Sequence, residues 1–162
     1  AMRYKSVDEI NNFRFDDCVI NSVSESERDI SISAEALIVC ANNSQNSNYT
    51  ESYAGTTKIR FTEGKIKGLI KDGYKYYDAN EVLISEVEDS VIANEDIKAF
   101  LKTCEGAYLY EISKDKENNC YILGIEFEDA EDNTVGDSYR LTLECEKIII
   151  EWDEYLNKVQ KM

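Results

Sequence analysis

The chain has 162 residues, 43% of them hydrophobic, with 33 acidic against 18 basic side chains and a net charge of −15. That length and apolar content suit one domain, residues 1–162, with its own core, and exclude a chain disordered by composition. The charge argues against nucleic acid and anionic lipid as partners and for a cationic protein.

In chain order, "SVDEINNF" predicts a short N-terminal helix. "FRFDDCVI" follows, with Phe13 and Phe15 on one face of a strand. Strict alternation would send Asp17 into the core. A one-residue bulge at Asp16–Asp17 instead moves Cys18 and Ile20 onto the buried face and leaves both aspartates at a kink, able to accept hydrogen bonds. From Ile30 to Cys40 the even positions are all apolar, a strand period. "ANNSQNSNYTESYAG" then reads as a long polar loop, in which Tyr49 and Tyr53 are poorly explained as core.

"TKIRFTEGKIKGLIKDGYKYY" carries turn signals at Glu63-Gly64 and Asp72-Gly73 and reads as a meander. Its tyrosines fall with Tyr74 and Tyr76 on one face and Tyr77 on the other. Aromatics in a sheet are usually core or cross-strand pairs, though tyrosine is also enriched at protein interfaces. A helix near 94–105 is predicted next. Asn94 can cap it, Glu95 and Asp96 suit its N-terminal dipole, Gly106 can end it, and Ile97, Phe100, Leu101 and Cys104 form its apolar stripe. Alternating strands follow around Tyr108–Ile112, Tyr121–Phe127, Tyr139–Cys145 and Ile148–Trp152, and a short helix is predicted over 153–161. Short connections imply antiparallel pairing. The expected fold class is therefore α+β: mainly antiparallel sheet, meander or sandwich-like, with one main packed helix and short terminal helices.

Little in the chain looks like chemistry. There is no histidine, which removes Ser-His-Asp and Cys-His hydrolases and zinc–histidine centres together. No nucleotide-binding glycine motif occurs. The five cysteines are scattered without a CxxC pair and read as buried thiols. The acidic segment "EFEDAEDNTVGD" fails the EF-hand pattern, because counting from Asp129 the sixth position is Thr134 and not Gly. No metal, cofactor or catalytic residue is expected. "AMRYKSVDEI" lacks the apolar centre of a signal peptide, Ala1 reads as a tag remnant, and no run is long and apolar enough to span a bilayer. A cytoplasmic protein is expected.

Residues 81–96 hold six carboxylates and residues 126–137 another six, with no Lys or Arg in either stretch. Solvated loops and a protein-docking surface both fit. As docking residues we single out Glu86, Glu88, Asp89, Glu128, Asp129, Glu131 and Asp132, with Tyr49 and Tyr53 as aromatic anchors.

"FRFDDCVI" followed by the alternating "ERDISISAEALIV", and a strand-rich C-terminal part ending in the aromatic Trp152, resemble a group of small β-rich bacterial immunity proteins. Those are found beside polymorphic toxins, including contact-dependent growth inhibition systems. Where this chain has Asp16-Asp17, other members often show His or Ser. The resemblance implies a protein that binds a cognate toxin, basic if it is a nuclease, and blocks its active site, with no chemistry of its own. A housekeeping or scaffold binding protein, or a carboxylate-dependent enzyme, are the alternatives.

Overall fold

Alternation of apolar and polar residues builds the architecture, which the computed structural model describes for residues 2–117, 119–129 and 134–159. The strands are β1 (Tyr4–Val7), β2 (Phe13–Arg14), β3 (Val19–Glu25), β4 (Ile30–Glu35), β5 (Ile38–Val39), β6 (Ser52–Ala54), β7 (Thr57–Phe61) and β8 (Lys65–Lys71). They continue as β9 (Tyr74–Tyr77), β10 (Leu83–Val87), β11 (Ser90–Val91), β12 (Tyr108–Asp115), β13 (Cys120–Asp129), β14 (Thr134–Glu144), β15 (Ile148–Trp152) and β16 (Tyr155–Lys158). One α-helix, α1 (Asn94–Lys102), and a 3-10 turn at Ile10–Asn12 complete the described elements. Every described pairing is antiparallel.

Ten strands form one sheet in the order β1-β15-β7-β4-β3-β12-β13-β14-β8-β11. Two short links show that this sheet is rolled. Only Thr62–Gly64 separates β7, third in the order, from β8, ninth. Laid flat, six strand spacings would span ~29 Å, whereas four residue steps reach only ~14 Å. Residues 145–147 join β14 to β15 across an equal number of places. The rings of Phe61 on β7 and Tyr121 on β13 accordingly meet with centroids 6.3 Å apart.

The core fills this roll. Ile20, Ile32, Ile59, Leu69, Leu109, Leu123, Ile125 and Leu141 are fully buried within it. A smaller sheet, β16-β6-β5-β2, carries Phe13, whose ring meets Trp152 edge-on at 5.8 Å. Trp152 is itself fully buried and stacks on Tyr4 at 5.6 Å. Helix α1 lays Ile97 and Leu101 into the core against β3 and β8, and Cys104 beyond its end is buried too. Phe100 is only half-buried, in an aromatic cluster with Tyr139 at 4.6 Å and Phe127 at 5.9 Å.

Several expectations are corrected. The N-cap position of α1 is Ala93, extended at φ −61° and ψ 142°, so Asn94 is the first helical residue and makes no cap. The helix stops at Thr103, and Gly106, at φ 84°, lies in the turn beyond. Of the expected terminal helices, the 6–13 stretch forms only the 3-10 turn Ile10–Asn12, and no helix forms over the described residues of 153–161. Tyr4–Val7 pairs with β15 instead, and Tyr155–Lys158 pairs with β6 because Tyr155 is drawn against Tyr4 at 4.9 Å. The strand from Ile30 breaks at Ala36, whose φ of 62° turns Leu37–Val39 towards the small sheet.

The meander over 57–77 is replaced by long-range pairing. Thr57, Ile59 and Phe61 of β7 find their same-face partners in β4 and β15, not in β8. The class is α+β with antiparallel sheet predominating, arranged as a roll rather than a meander. No helix among the described residues is long and apolar enough to cross a membrane.

Candidate functional site

Asp16 and Asp17 occupy a turn, not a bulge. The chain leaves the small sheet after Phe15 and enters the large one at Val19, so two residues must reverse direction between sheets. Phe15, Cys18 and Ile20 are buried on either side of that turn. Asp16 pairs with Arg14, which also reaches Glu51 at 2.5 Å. Asp17 accepts a 2.8 Å hydrogen bond from the Tyr53 hydroxyl, and that bond is the main reason the Tyr53 pKa is raised. Asp17 and Tyr53 thus line one cleft of about 470 Å³, together with Glu35, Gly55, Glu154 and Leu156.

The 41–55 segment, read from sequence as a loop, is organised by two asparagines and ends in strand β6. Asn43 is buried and gives its amide to the Asn12 carbonyl at 3.3 Å; Asn46 serves the carbonyls of Val39, Cys40 and Thr50. Glu9 ties the same segment down. Its carboxylate accepts from the Ser44 amide at 3.0 Å, the Ser44 hydroxyl at 2.6 Å, and the Ser6 hydroxyl. Burial alone would raise the Glu9 pKa, but these hydrogen bonds together bring it below its ordinary value. Tyr49 stands out from this frame at φ 59°, 93% exposed.

Among the described residues, exposed large apolar side chains concentrate elsewhere, at Tyr74–Val91. Past Lys71 the chain leaves the roll, and β9 and β10 pair only with each other. Every residue from Tyr74 to Val91 is exposed. Tyr74 and Tyr76 share one face with Val87, their rings 4.9 Å apart; Tyr77 and Leu83 share the other with the Lys75–Glu86 ion pair. Tyr76 and Ile84 are 56% and 65% exposed, values that place neither in any core. Sequence reasoning identified the tyrosines as a strand. That the strand lies outside the core follows from where β8 stops pairing, a tertiary fact with no local signal.

This arm is held at both ends. At its tip Asp78 accepts hydrogen bonds from the amides of Asn80 at 2.8 Å and Val82 at 3.0 Å. At its base Arg140 on β14 donates to Asp72 at 2.6 Å and to Asp89 at 2.9 Å, and Asp89 also accepts from the Gly73 amide at 2.7 Å. The hydrogen bond to Asp72 is the first cause of a raised Arg140 pKa. Gly73 is required by close approach, since a Cβ there would sit 2.0 Å from the Val87 carbonyl oxygen.

The register gathers acidic residues at one end of the roll. Lys71 lies opposite Tyr139, Ser138 opposite Glu126, Glu126 opposite Tyr108, Tyr108 opposite Val19, and Val19 opposite Glu35. The arm base, the outer ends of β13 and β14, and the Asp17 turn therefore share that end. Asp89 binds Arg140, Asp137 reaches Lys71 at 3.4 Å, and Glu86, Glu88 and Glu128 are exposed. Asp129 ends β13, while Glu131 and Asp132 lie outside the described residues. Tyr53 lies on β6 of the small sheet, beside the Asp17 turn, and not on the strands that lead into the arm.

All five cysteines are thiols; burial pushes Cys18 up to about 12 and, as the leading cause, Cys104 and Cys145 up to about 11. Among the described residues no three Cys, Asp or Glu side chains converge as a metal-binding group. No protein-family model, no curated protein and no solved structure matches the chain.

Proposed function

We propose that this is an acidic, protein-binding inhibitor: an immunity protein that binds a cognate basic toxin domain, a nuclease being the best-fitting class, and covers its active site. The observation that supports it is the gathering of carboxylates and exposed aromatics at one end of the roll, on a chain of net charge −15. A nuclease presents a basic groove to phosphate, and an array of carboxylates on a rigid sheet offers that groove a substitute for phosphate. Binding of this kind needs no catalytic residue, cofactor or metal in the inhibitor. The protein would act in the cytoplasm, where an arriving toxin meets its substrate.

Co-expression with the open reading frame beside its own gene tests the reading. The neighbouring product should arrest growth alone and be neutralised in the presence of this protein. Purified, the two should associate with an on-rate that falls steeply between about 50 and 500 mM salt, as the Debye length shortens from ~14 Å to ~4 Å. A neighbouring product that is neither toxic nor bound defeats the reading.

A further inference from the structure

We infer that the β9–β10 arm is the element that enters the partner, and that its occupant is a cationic cleft with apolar walls, not a flat surface and not a second copy of this chain. The inference rests on the inhibitor reading above and says how that inhibitor would grip its target.

Neither strand of the arm contributes to the buried core, and, unlike the equally exposed two-residue β11, which pairs with β8, they pair with no strand of the large sheet. A two-stranded hairpin alone in water is marginal, and natural sheets shorten, charge or cover such edges. This one instead projects Tyr74, Tyr76 and Val87 from one face and Tyr77 and Leu83 from the other. A flat partner would cover one face and leave the second wet. Only a cleft with two walls removes both from water, and tyrosine in a fully desolvated pocket is among the side chains, with Trp and Arg, that dominate binding energy at interfaces.

Charge decides between occupants. Residues 74–89 hold five carboxylates and one lysine, and the lysine is already paired with Glu86. A second copy would set this arm against its own like charge, on a body of −15 facing another of −15. A cationic cleft meets Asp78, Glu81 and Glu88 with opposite charge as it meets the rings with apolar surface. The Asp78 turn at the tip and the Arg140 clamp at the base hold the arm in shape beforehand, so little ordering cost remains for association.

The test uses the full chain and, as probe, the purified product of the adjacent open reading frame. Tyr76→Ser removes one face of the arm and Leu83→Ser the other. Circular dichroism and the thermal midpoint should be unchanged, because both side chains lie outside the core. Each variant should weaken binding at least tenfold and the double variant about 100-fold, chiefly through the off-rate. Glu81→Lys with Glu88→Lys should slow association and flatten its salt dependence.

If the wild type binds and the double variant binds within twofold of it, the arm assignment falls while the inhibitor reading stands. If only one of the two faces matters, the cleft is wrong and a flat partner replaces it. A wild type that sediments as a dimer, and becomes a monomer in the double variant, hands the arm to a second copy and overturns the proposal. A wild type that binds nothing removes the inhibitor reading and this inference with it.

Discussion

Arg140 reaches Asp89 at 2.9 Å with one terminal nitrogen and Asp72 at 2.6 Å with Nε, so a single guanidinium ties together the two strands that lead into the exposed arm. Asp72 follows β8 and Asp89 precedes β11, and Arg140 stands on neighbouring β14. The fork geometry matters here: two carboxylates on the two connections into the arm are met by donors at fixed separation, which a lysine ammonium cannot reproduce.

Arg140→Ala should therefore loosen the arm without unfolding the protein. The ion pairs are partly exposed, with side-chain exposures of 42% for Arg140 and 58% for Asp89, so their worth is about 1 kcal/mol or less. Hydrogen exchange of amides in residues 74–87 should quicken by about fivefold, while the global thermal midpoint moves little. Arg140→Lys should not restore protection. Unchanged exchange in Arg140→Ala would mean that the clamp holds nothing.

Gly73→Ala and Gly68→Ala form a matched pair. At Gly73 an added methyl would meet the Val87 carbonyl oxygen at 2.0 Å and must push β9 away from the opposite strand of the arm; at Gly68 on β8 nothing lies within 4 Å. Gly68→Ala should be neutral or slightly stabilising, because Gly is the poorer strand residue. Gly73→Ala should disturb the arm, read as chemical-shift changes confined to residues 72–90. Similar spectra for the two variants would show that the arm base is softer than its geometry.

Where local pattern met local structure, the sequence was a good guide. Ile97, Leu101 and Cys104 are buried as their spacing predicts, and Ile30, Ile32 and Ala34 line one face of β4. What it missed was decided at a distance. Ala36 continues the alternation perfectly, yet its left-handed φ of 62° is set by the need to carry Leu37 into the core of a second sheet. Tyr155 lies within a run, 153–161, that reads as helix, but its hydroxyl donates to the Gln45 carbonyl at 2.8 Å, 110 residues away. The arm follows the same rule. "YKYY" announces a strand, and only the absence of further pairing partners for β9 and β10 leaves its rings bare. Of the docking residues, the carboxylate-rich stretches were legible as charge, while their gathering at one end depends on strand register.

The helix gives a graded pair of core substitutions. Leu101 is buried against the sheet, so Leu101→Ala should cost about 2–5 kcal/mol through lost transfer energy and a cavity. Phe100 is half-buried between Tyr139 and Phe127, with solvent on its remaining side, so Phe100→Ala should cost less, about 1–3 kcal/mol. Urea denaturation of both variants measures the difference. A Phe100 variant more destabilised than the Leu101 variant would place the aromatic cluster, not the helix stripe, at the centre of that interface.

Glu9 supplies the pH dependence. Its carboxylate accepts from Ser44 twice, from the Ser6 hydroxyl and, at 3.5 Å, from the Asn12 amide, and it thereby fastens the 41–55 segment to the first strand and the 3-10 turn. These bonds favour the charged form strongly enough to outweigh burial, so the native pKa lies below the ordinary value of 4.5. The unfolded chain therefore takes up this proton first as pH falls. The stabilisation is fully present above about pH 4.5 and is lost as pH drops through the lowered native pKa. Glu9→Gln keeps the shape of the side chain but behaves as the neutral form at every pH. At pH 7 it should be less stable than the parent by about 1–2 kcal/mol, the worth of hydrogen bonds to a charged acceptor. As pH is lowered the two proteins should converge, because the remaining carboxylates titrate alike in both and cancel in the comparison. Parallel urea titrations of parent and variant across the acidic range measure this directly. A stability difference that stays constant with pH would show that Glu9 acts through packing alone and that its hydrogen bonds do not discriminate between the charged and neutral acid.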